Sequence, residues 1–507
     1  MPNMNSTLWR IRELLPFMSN DGSGGARHPA GTLVGLSPDE AIVKLAKAVV
    51  PRINAQPDLA LRFKQLEEVR HEIDNLLPSL ELAITEAALP LPREITDAAL
   101  NADNLLKGIA HSYAGCARSL LRGPQSKNQG PLFYRAIRGA MQMIARRQVL
   151  AYRAYALPSS ASWQMLHELY TQAINAAVSA ERSEFAPIER EYVAALLCAW
   201  FDPTKLQRVD LNAIHACAYQ LAPFARIFDT VPSDGGTDVS CSFLIDLEAG
   251  RAGMPLTRVV TEEYPVHIRV VDCLKVLDAL DRNLAASDSD TDITPALGVP
   301  KPLLKSLRTA LAGSNARRHQ RSRTRPHANV VGGLAQVVGF VEELAYSRRS
   351  VDAVARPEGP IIKPSEWSIV DESPGGYRLR FDKGDKWERG VGDVVAMQPR
   401  ESSKVHIGVV RRISATGNRL EIGMQLLGPH TSVIEVDIPG RKRQHALYLN
   451  TLNINADYAG IILRPGATRA GSKIRLYING QAHERTLGKC LESNDGIELF
   501  ALSRQPS

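Results

Sequence analysis

The interval between apolar residues changes partway along this chain, and that change limits the possible folds more than any other feature. From Ser37 to about Phe228 apolar side chains recur every three or four residues, the pattern of helices that bury one face. Beyond about residue 317 the period becomes two. Tyr377, Leu379 and Phe381 alternate with Arg378 and Arg380, and Val405, Ile407 and Val409 alternate with His406, Gly408 and Val410. Helices first and strands afterwards predict segregated layers, an α+β multidomain chain rather than a βαβ array.

Within the helical region, Ser37-Pro38-Asp39-Glu40 reads as a capping box with proline at the first helical position. Further helices are predicted near 58–87, 95–121, 131–157, 163–179, 186–201 and 204–228. On the one near 131–157, Phe133, Ile137, Met141 and Ile144 form an apolar stripe, while Arg135, Arg138, Arg146 and Arg153 share another face, read as solvated. No helical-repeat period is present, which favours an irregular bundle. Ahead of it, Leu8, Ile11, Leu15 and Met18 line one face of a short amphipathic helix that ends in Asp21-Gly-Ser-Gly-Gly25. That helix is expected either to dock on a partner or to pack loosely on its own domain.

Residues 229–312 read as a mixed connecting region with a strand at Val239 to Leu247 and a helix at Pro265 to Leu284. Its acidic stretch Ser287 to Asp292 lacks the glycine and terminal glutamate of a calcium loop and is read as a linker. The β-rich region is expected to contain a single helix, from Gly333 to Arg348. Hairpins are predicted at Ala415-Thr-Gly-Asn418 and at Asn479-Gly480, and further strands at His445 to Leu449 and Ala459 to Leu463.

A chain of 507 residues exceeds one core, so several domains are expected. No apolar run approaches the roughly 20 residues of a membrane helix, and Arg10, Arg12 and Glu13 interrupt any secretory signal. Cys116, Cys198, Cys217, Cys241, Cys273 and Cys490 form no CxxC pair, which argues against a disulfide framework or zinc site and for a cytoplasmic location. The net charge is +7, yet residues 301–350 alone hold ten basic and two acidic side chains, so the remainder is nearly neutral. A focused patch suits one small anion better than a long polyanion, which makes nucleic acid an unexpected partner.

The patch centres on Arg317, Arg318, Arg321 and Arg325, in which Arg317/Arg321 and Arg321/Arg325 are two overlapping steps of four. Guanidinium suits an anionic nucleotide: it is permanently charged, its fork matches two phosphate oxygens, and it pairs with guanine O6 and N7. The complement lies 46 positions beyond Arg325, in the turn Asp371-x-Ser373-x-x-Gly376. Asp and Ser bond within a tight turn, Gly375 and Gly376 allow positive φ and close approach, and a carboxylate can fix arginine rotamers in advance.

Together, the arginine steps, the Asp371-x-Ser373-x-x-Gly376 turn and the hairpin Ile407 to Leu427 resemble the PilZ domain, a bacterial β-barrel receptor for cyclic di-GMP. The resemblance covers about residues 317–428. It implies that the arginines hold phosphate and guanine on the segment leading into a barrel, and that the turn closes over the other guanine. The expected organisation is then a flexible segment 1–36, an α-helical domain 37–228, the connecting region 229–312, a PilZ-like antiparallel barrel 313–430 and a C-terminal β module 431–507. No Walker loop, G-x-S-x-G elbow or H-E-x-x-H helix is present, and His319, His327, His406 and His445 lack metal-ligand spacing. The expectation is a non-enzymatic effector with no metal and no cofactor, which binds cyclic di-GMP and controls a protein partner through the helical domain or N-terminal helix. By resemblance, its outputs include motility, attachment or exopolysaccharide. The alternative is a nucleic-acid-binding or scaffold protein with a degenerate barrel.

Overall fold

The computed structural model describes residues 33, 35–122, 129–177, 182–230, 239–259, 265–286, 297–313, 322, 326–349, 362–428, 431–450, 459–478, 480–494 and 496–502. The amphipathic helix expected before residue 20 and the acidic stretch 287–292 lie outside them.

Ser37 caps helix α1 (Pro38–Lys44) through the predicted box: its hydroxyl accepts from the Glu40 N–H, and its own N–H donates to the Glu40 carboxylate at 2.9 Å. A short π-helical stretch and α2 (Val50–Asn54) lead to α3 (Leu59–Glu86), capped by Asp58. Phe63, Leu66, Val69, Ile73, Leu77, Leu80 and Ile84 repeat at three and four along α3 and are all buried. Each such side chain, fully buried, contributes roughly 1.5–3 kcal/mol. Helices α4 (Arg93–Arg122), α5 (Gln129–Arg153), α6 (Ser160–Ala177) and α7 (Arg182–Trp200) complete the long members of the bundle.

The arginine face of α5 corrects the solvated reading in part: Arg135 is exposed and Arg138 and Arg146 are partly so, but Arg153 is buried and the face is engaged by neighbouring helices. Arg146 pairs with Asp74, Arg153 with Glu81 at 3.1 Å, and Arg70 donates to Gln142 at 3.3 Å. All three pairs are 72 residues apart, so α3 and α5 run parallel in fixed register and the polar side chains form a ladder between them. Arg138 turns to Glu191 of α7, and Arg135 lies over the Phe63 ring.

The helix expected over 204–228 is also corrected. The chain there makes 3₁₀ turns, a short helix α8 (Ile214–Leu221) and the strand β1 (Arg226–Phe228). Pro203 and Pro223 break the helical ladder. Likewise the opening of the helix predicted over Pro265–Leu284 is the strand β4 (Ile268–Asp272), followed by α9 (Leu274–Ala286). The β-branched Ile268, Val270 and Val271 favour the strand. With β2 (Ser242–Asp246) and β3 (Met254–Pro255), these strands form a sheet of order β1-β4-β2-β3. That sheet and α10 (Lys301–Leu311) share a core with the bundle.

Two closed six-stranded antiparallel barrels follow. Barrel 1 is β5 (His327–Gly332), β6 (Ser365–Ser373), β7 (Gly376–Lys383), β8 (Val394–Pro399), β9 (His406–Thr416) and β10 (Arg419–Leu426). Barrel 2 is β11 (Thr431–Asp437), β12 (Gln444–Leu449), β13 (Gly460–Leu463), β14 (Lys473–Ile478), β15 (Gln481–Ser493) and β16 (Glu498–Leu502). Helix α11 (Leu334–Arg349) inserts after β5 and packs between them. The fold is therefore α+β and multidomain, with helices first and two barrels after. Among the described residues no helix is long and apolar enough to cross a membrane.

Barrel 1 is seated on the helical bundle. Leu89 and Trp387 exchange two backbone hydrogen bonds at 2.7 and 2.8 Å, and the Ala415 N–H donates to the Tyr155 carbonyl at 2.9 Å. The interior of barrel 1, including Trp367, Ile369, Leu379 and Met424, is continuous with the bundle core.

Candidate functional site

Asp371 sits near the end of β6, and a β-bulge sets its direction. The register passes from Ile369 opposite Leu379 to Asp371 opposite Arg378, which leaves Val370 unpaired. Ile369 and Leu379 point into the barrel, and without the extra residue Asp371 would follow Ile369 inward. The bulge turns it to the outer face. There an Asp371 carboxylate oxygen lies 2.8 Å from Arg378 Nη2, with the Asp371 side chain 7% exposed and the Arg378 side chain 43%. Arg378 also faces Glu421 of β10 at 3.8 Å.

Ser373 and Gly376 close the hairpin over Pro374 and Gly375. The Ser373 hydroxyl donates to the Gly376 carbonyl at 3.2 Å, and the Gly375 carbonyl accepts from the Leu426 N–H at 3.0 Å. Gly376 has φ +153°, and a Cβ placed there would lie 2.0 Å from the Met424 carbonyl oxygen. Only glycine lets β7 approach β10 that closely. Beside the turn, burial first and the Glu372 charge second raise the Tyr377 phenol above its usual pKa, so it stays a neutral donor.

Arg317, Arg318, Arg321 and Arg325 lie outside the described residues, but Ser322, next to Arg321, and Pro326, next to Arg325, do not. Ser322 and Glu372 exchange two backbone hydrogen bonds at 3.0 Å, and the Ile369 N–H donates to the Pro326 carbonyl at 2.9 Å. The segment leading into the barrel is thus tied at two points to the strand that carries Asp371.

Sequence reasoning passes over two residues on this face. Arg378 reads only as an outward position of β7, and its pairing with Asp371 depends on the unforeseen bulge. Arg412 on β9 carries no signal, because its partners Asp202 and Thr204 lie more than 200 residues earlier. Among the described residues no cluster of three or more His, Cys, Asp or Glu could hold a metal. The buried Cys198, Cys217 and Cys273 thiols are all raised above their usual pKa by burial, which suits core side chains rather than nucleophiles.

No curated protein matches this chain. Residues 30–232 match the family model described as the N-terminal domain of the cyclic-di-GMP receptor FimW, so the helical region of the chain is similar to that domain.

Proposed function

We propose that this chain is a cyclic di-GMP receptor without catalytic activity. The dinucleotide binds where the arginine-rich lead-in meets the Asp371–Gly376 hairpin of a PilZ-type barrel, and binding alters how that barrel sits on the helical bundle. The altered surface then controls a protein partner in the cytoplasm.

The paired hydrogen bonds between Ser322 and Glu372 carry this reading. Consecutive Cα atoms are about 3.8 Å apart, so Arg321 is one residue from a group bonded to β6, and Arg325 is one residue from Pro326, which is bonded to it as well. This favours the Arg321/Arg325 register over the one beginning at Arg317. A second, separate support is the similarity of residues 30–232 to a domain of a cyclic-di-GMP receptor, because it concerns the helical bundle and not the barrel.

Calorimetric titration of cyclic di-GMP into the full chain tests the proposal. Saturable binding is expected, weakened about a hundredfold or more by Arg321→Ala with Arg325→Ala, since each charge-assisted bond contributes about 1.5–3 kcal/mol. Asp371→Ala should weaken binding while the barrel still melts cooperatively. A wild-type chain that gives neither heat nor a thermal shift at high ligand ends the receptor reading. A steep salt dependence with binding to polynucleotides would instead mark a nucleic-acid binder.

A further inference from the structure

The outer face of barrel 1 carries a straight row of residues from the Asp371 hairpin to the helical bundle. Asp371 pairs in register with Arg378, Arg378 with Gly423, and Gly423 with Arg412. Arg378 and Arg412 are two strand spacings apart, roughly 10 Å. Gly423 leaves the space between them open, and a Cβ there would meet the Arg412 Cβ at 3.4 Å. Arg412 Nη2 lies 3.0 Å from both carboxylate oxygens of Asp202, and its Nε donates to the Thr204 hydroxyl at 2.9 Å.

We propose that Arg412 is shared between the bound messenger and the helical bundle, and that Asp202 is the internal counter-ion the ligand must displace. The inference rests on the receptor reading above and adds to it the contact that keeps the ligand-free state closed. Three features support it. Asp202 has φ +51°, a left-handed conformation uncommon for a residue with a side chain, and it is fixed there by Arg412, Thr204 and Lys205. A second bulge, between Gly423 and Met424 in the β9–β10 pairing, leaves Arg411 unpaired and sends the two adjacent arginines to different neighbours. Arg412 reaches the bundle, whereas Arg411 grips Glu492 of barrel 2 at 2.6 and 2.7 Å. Finally, an anion in the row and the Asp202 carboxylate draw on the same guanidinium, so each weakens the other by the same factor.

The test is titration of cyclic di-GMP into the full chain and its Asp202→Asn, Arg412→Gln and Arg411→Gln variants, with a melting curve for each. Asp202→Asn is expected to bind about fivefold tighter than wild type, and Arg412→Gln about tenfold weaker. Arg411→Gln, which removes the same charge one residue away, should stay within about twofold. The proposal is overturned if Asp202→Asn binds no tighter, or if Arg411→Gln weakens binding as much as Arg412→Gln, because the effect would then be diffuse charge. Should Asp202→Asn fold poorly, hydrogen exchange on the wild-type chain decides. The Lys205 amide, bonded to the Asp202 carbonyl at 2.9 Å, should exchange faster with ligand bound, and an unchanged rate overturns the proposal. If wild type binds nothing, the receptor reading itself fails. Wild-type binding with an indifferent Asp202→Asn removes only the present inference.

Discussion

The two barrels share strand number, antiparallel pairing and closure, yet they use their outer faces differently. Barrel 2 encloses its own core, with Ile434, Val436, Ile461, Leu476 and Phe500 among its members, and lends one outer face to the seam around α11. Barrel 1 is claimed on two sides. Its interior joins the bundle core through Trp367 and Trp387, and the outward side chains of β8 and β9, including Val394, Ala396, Ile407 and Val409, pack into the α11 seam. The side chains across Ile407 to Val410 alternate between two cores rather than between core and solvent, and all four residues are buried. In barrel 1, β10 keeps a clean alternation, with Leu420, Ile422 and Met424 inward and Glu421 and Gly423 outward, and beside it Leu379 of β7 is buried while Arg378 is partly exposed. A continuous apolar run marks a face taken by a neighbour. An alternating run marks a face left for solvent or ligand, and here that is the face carrying Asp371.

The most forceful way to break the comparison is to remove Trp367. It is fully buried, with ring centroids 5.1 Å from Trp387 and 5.3 Å from Phe381 in edge-on contact. Trp367→Ala should destabilise by about 3–5 kcal/mol through lost contact and the cavity left behind. Because this interior is continuous with the bundle, scanning calorimetry should show bundle and barrel 1 shifting together to lower temperature. Hydrogen exchange in β14 and β15 should change much less. Equal loss of protection in barrel 2 would mean that the barrels do not differ in the way described.

Gly376 sharpens the comparison at the hairpin itself. Its φ and the 2.0 Å approach to the Met424 carbonyl leave no room for a methyl group. Gly376→Ala should therefore destabilise by about 2 kcal/mol, read as a lower urea midpoint with an unchanged slope. The same change at Gly480, a positive-φ turn of barrel 2 with nothing within 4 Å, removes only the φ preference and should be milder. Equal effects would show that the close approach of β7 to β10 is unimportant.

Much of this was legible in the sequence. The change of period placed the helices before the strands, and Ser37, Asn418 and Gly480 marked a cap and two turns. The Asp371 turn was identifiable because Asp, Ser and Gly have local roles at fixed offsets. What could not be read was the unpaired Val370, since a bulge depends on the register of two strands and leaves no mark in either alone. The pairing of Arg146 and Arg153 was missed for a related reason, because Asp74 and Glu81 are each separated from their partner by 72 residues and a partly exposed ladder between helices looks in sequence like a solvated face. Prolines and β-branched runs were present at 203–228 and 268–272, and they outweighed the helical period there.

The smallest expected effect is a dependence on pH in the transition shared by the bundle and barrel 1. His167 is buried in the bundle, where one ring nitrogen lies 2.8 Å from the Tyr192 hydroxyl and the other 2.9 Å from the Arg251 carbonyl. Burial lowers its pKa below 6.5, and burial likewise lowers those of His215 and of His406 in barrel 1. For a histidine lowered in the folded state, the unfolded chain takes up its proton first as pH falls. Above about 6.5 both states are neutral and stability should be flat. Below it, each histidine favours unfolding progressively until the pH passes its own folded pKa. The first melting transition should therefore fall between pH 7.5 and pH 5.5, and His167→Gln should reduce the slope. A first transition that rises over this range would contradict the burial of these rings in neutral form.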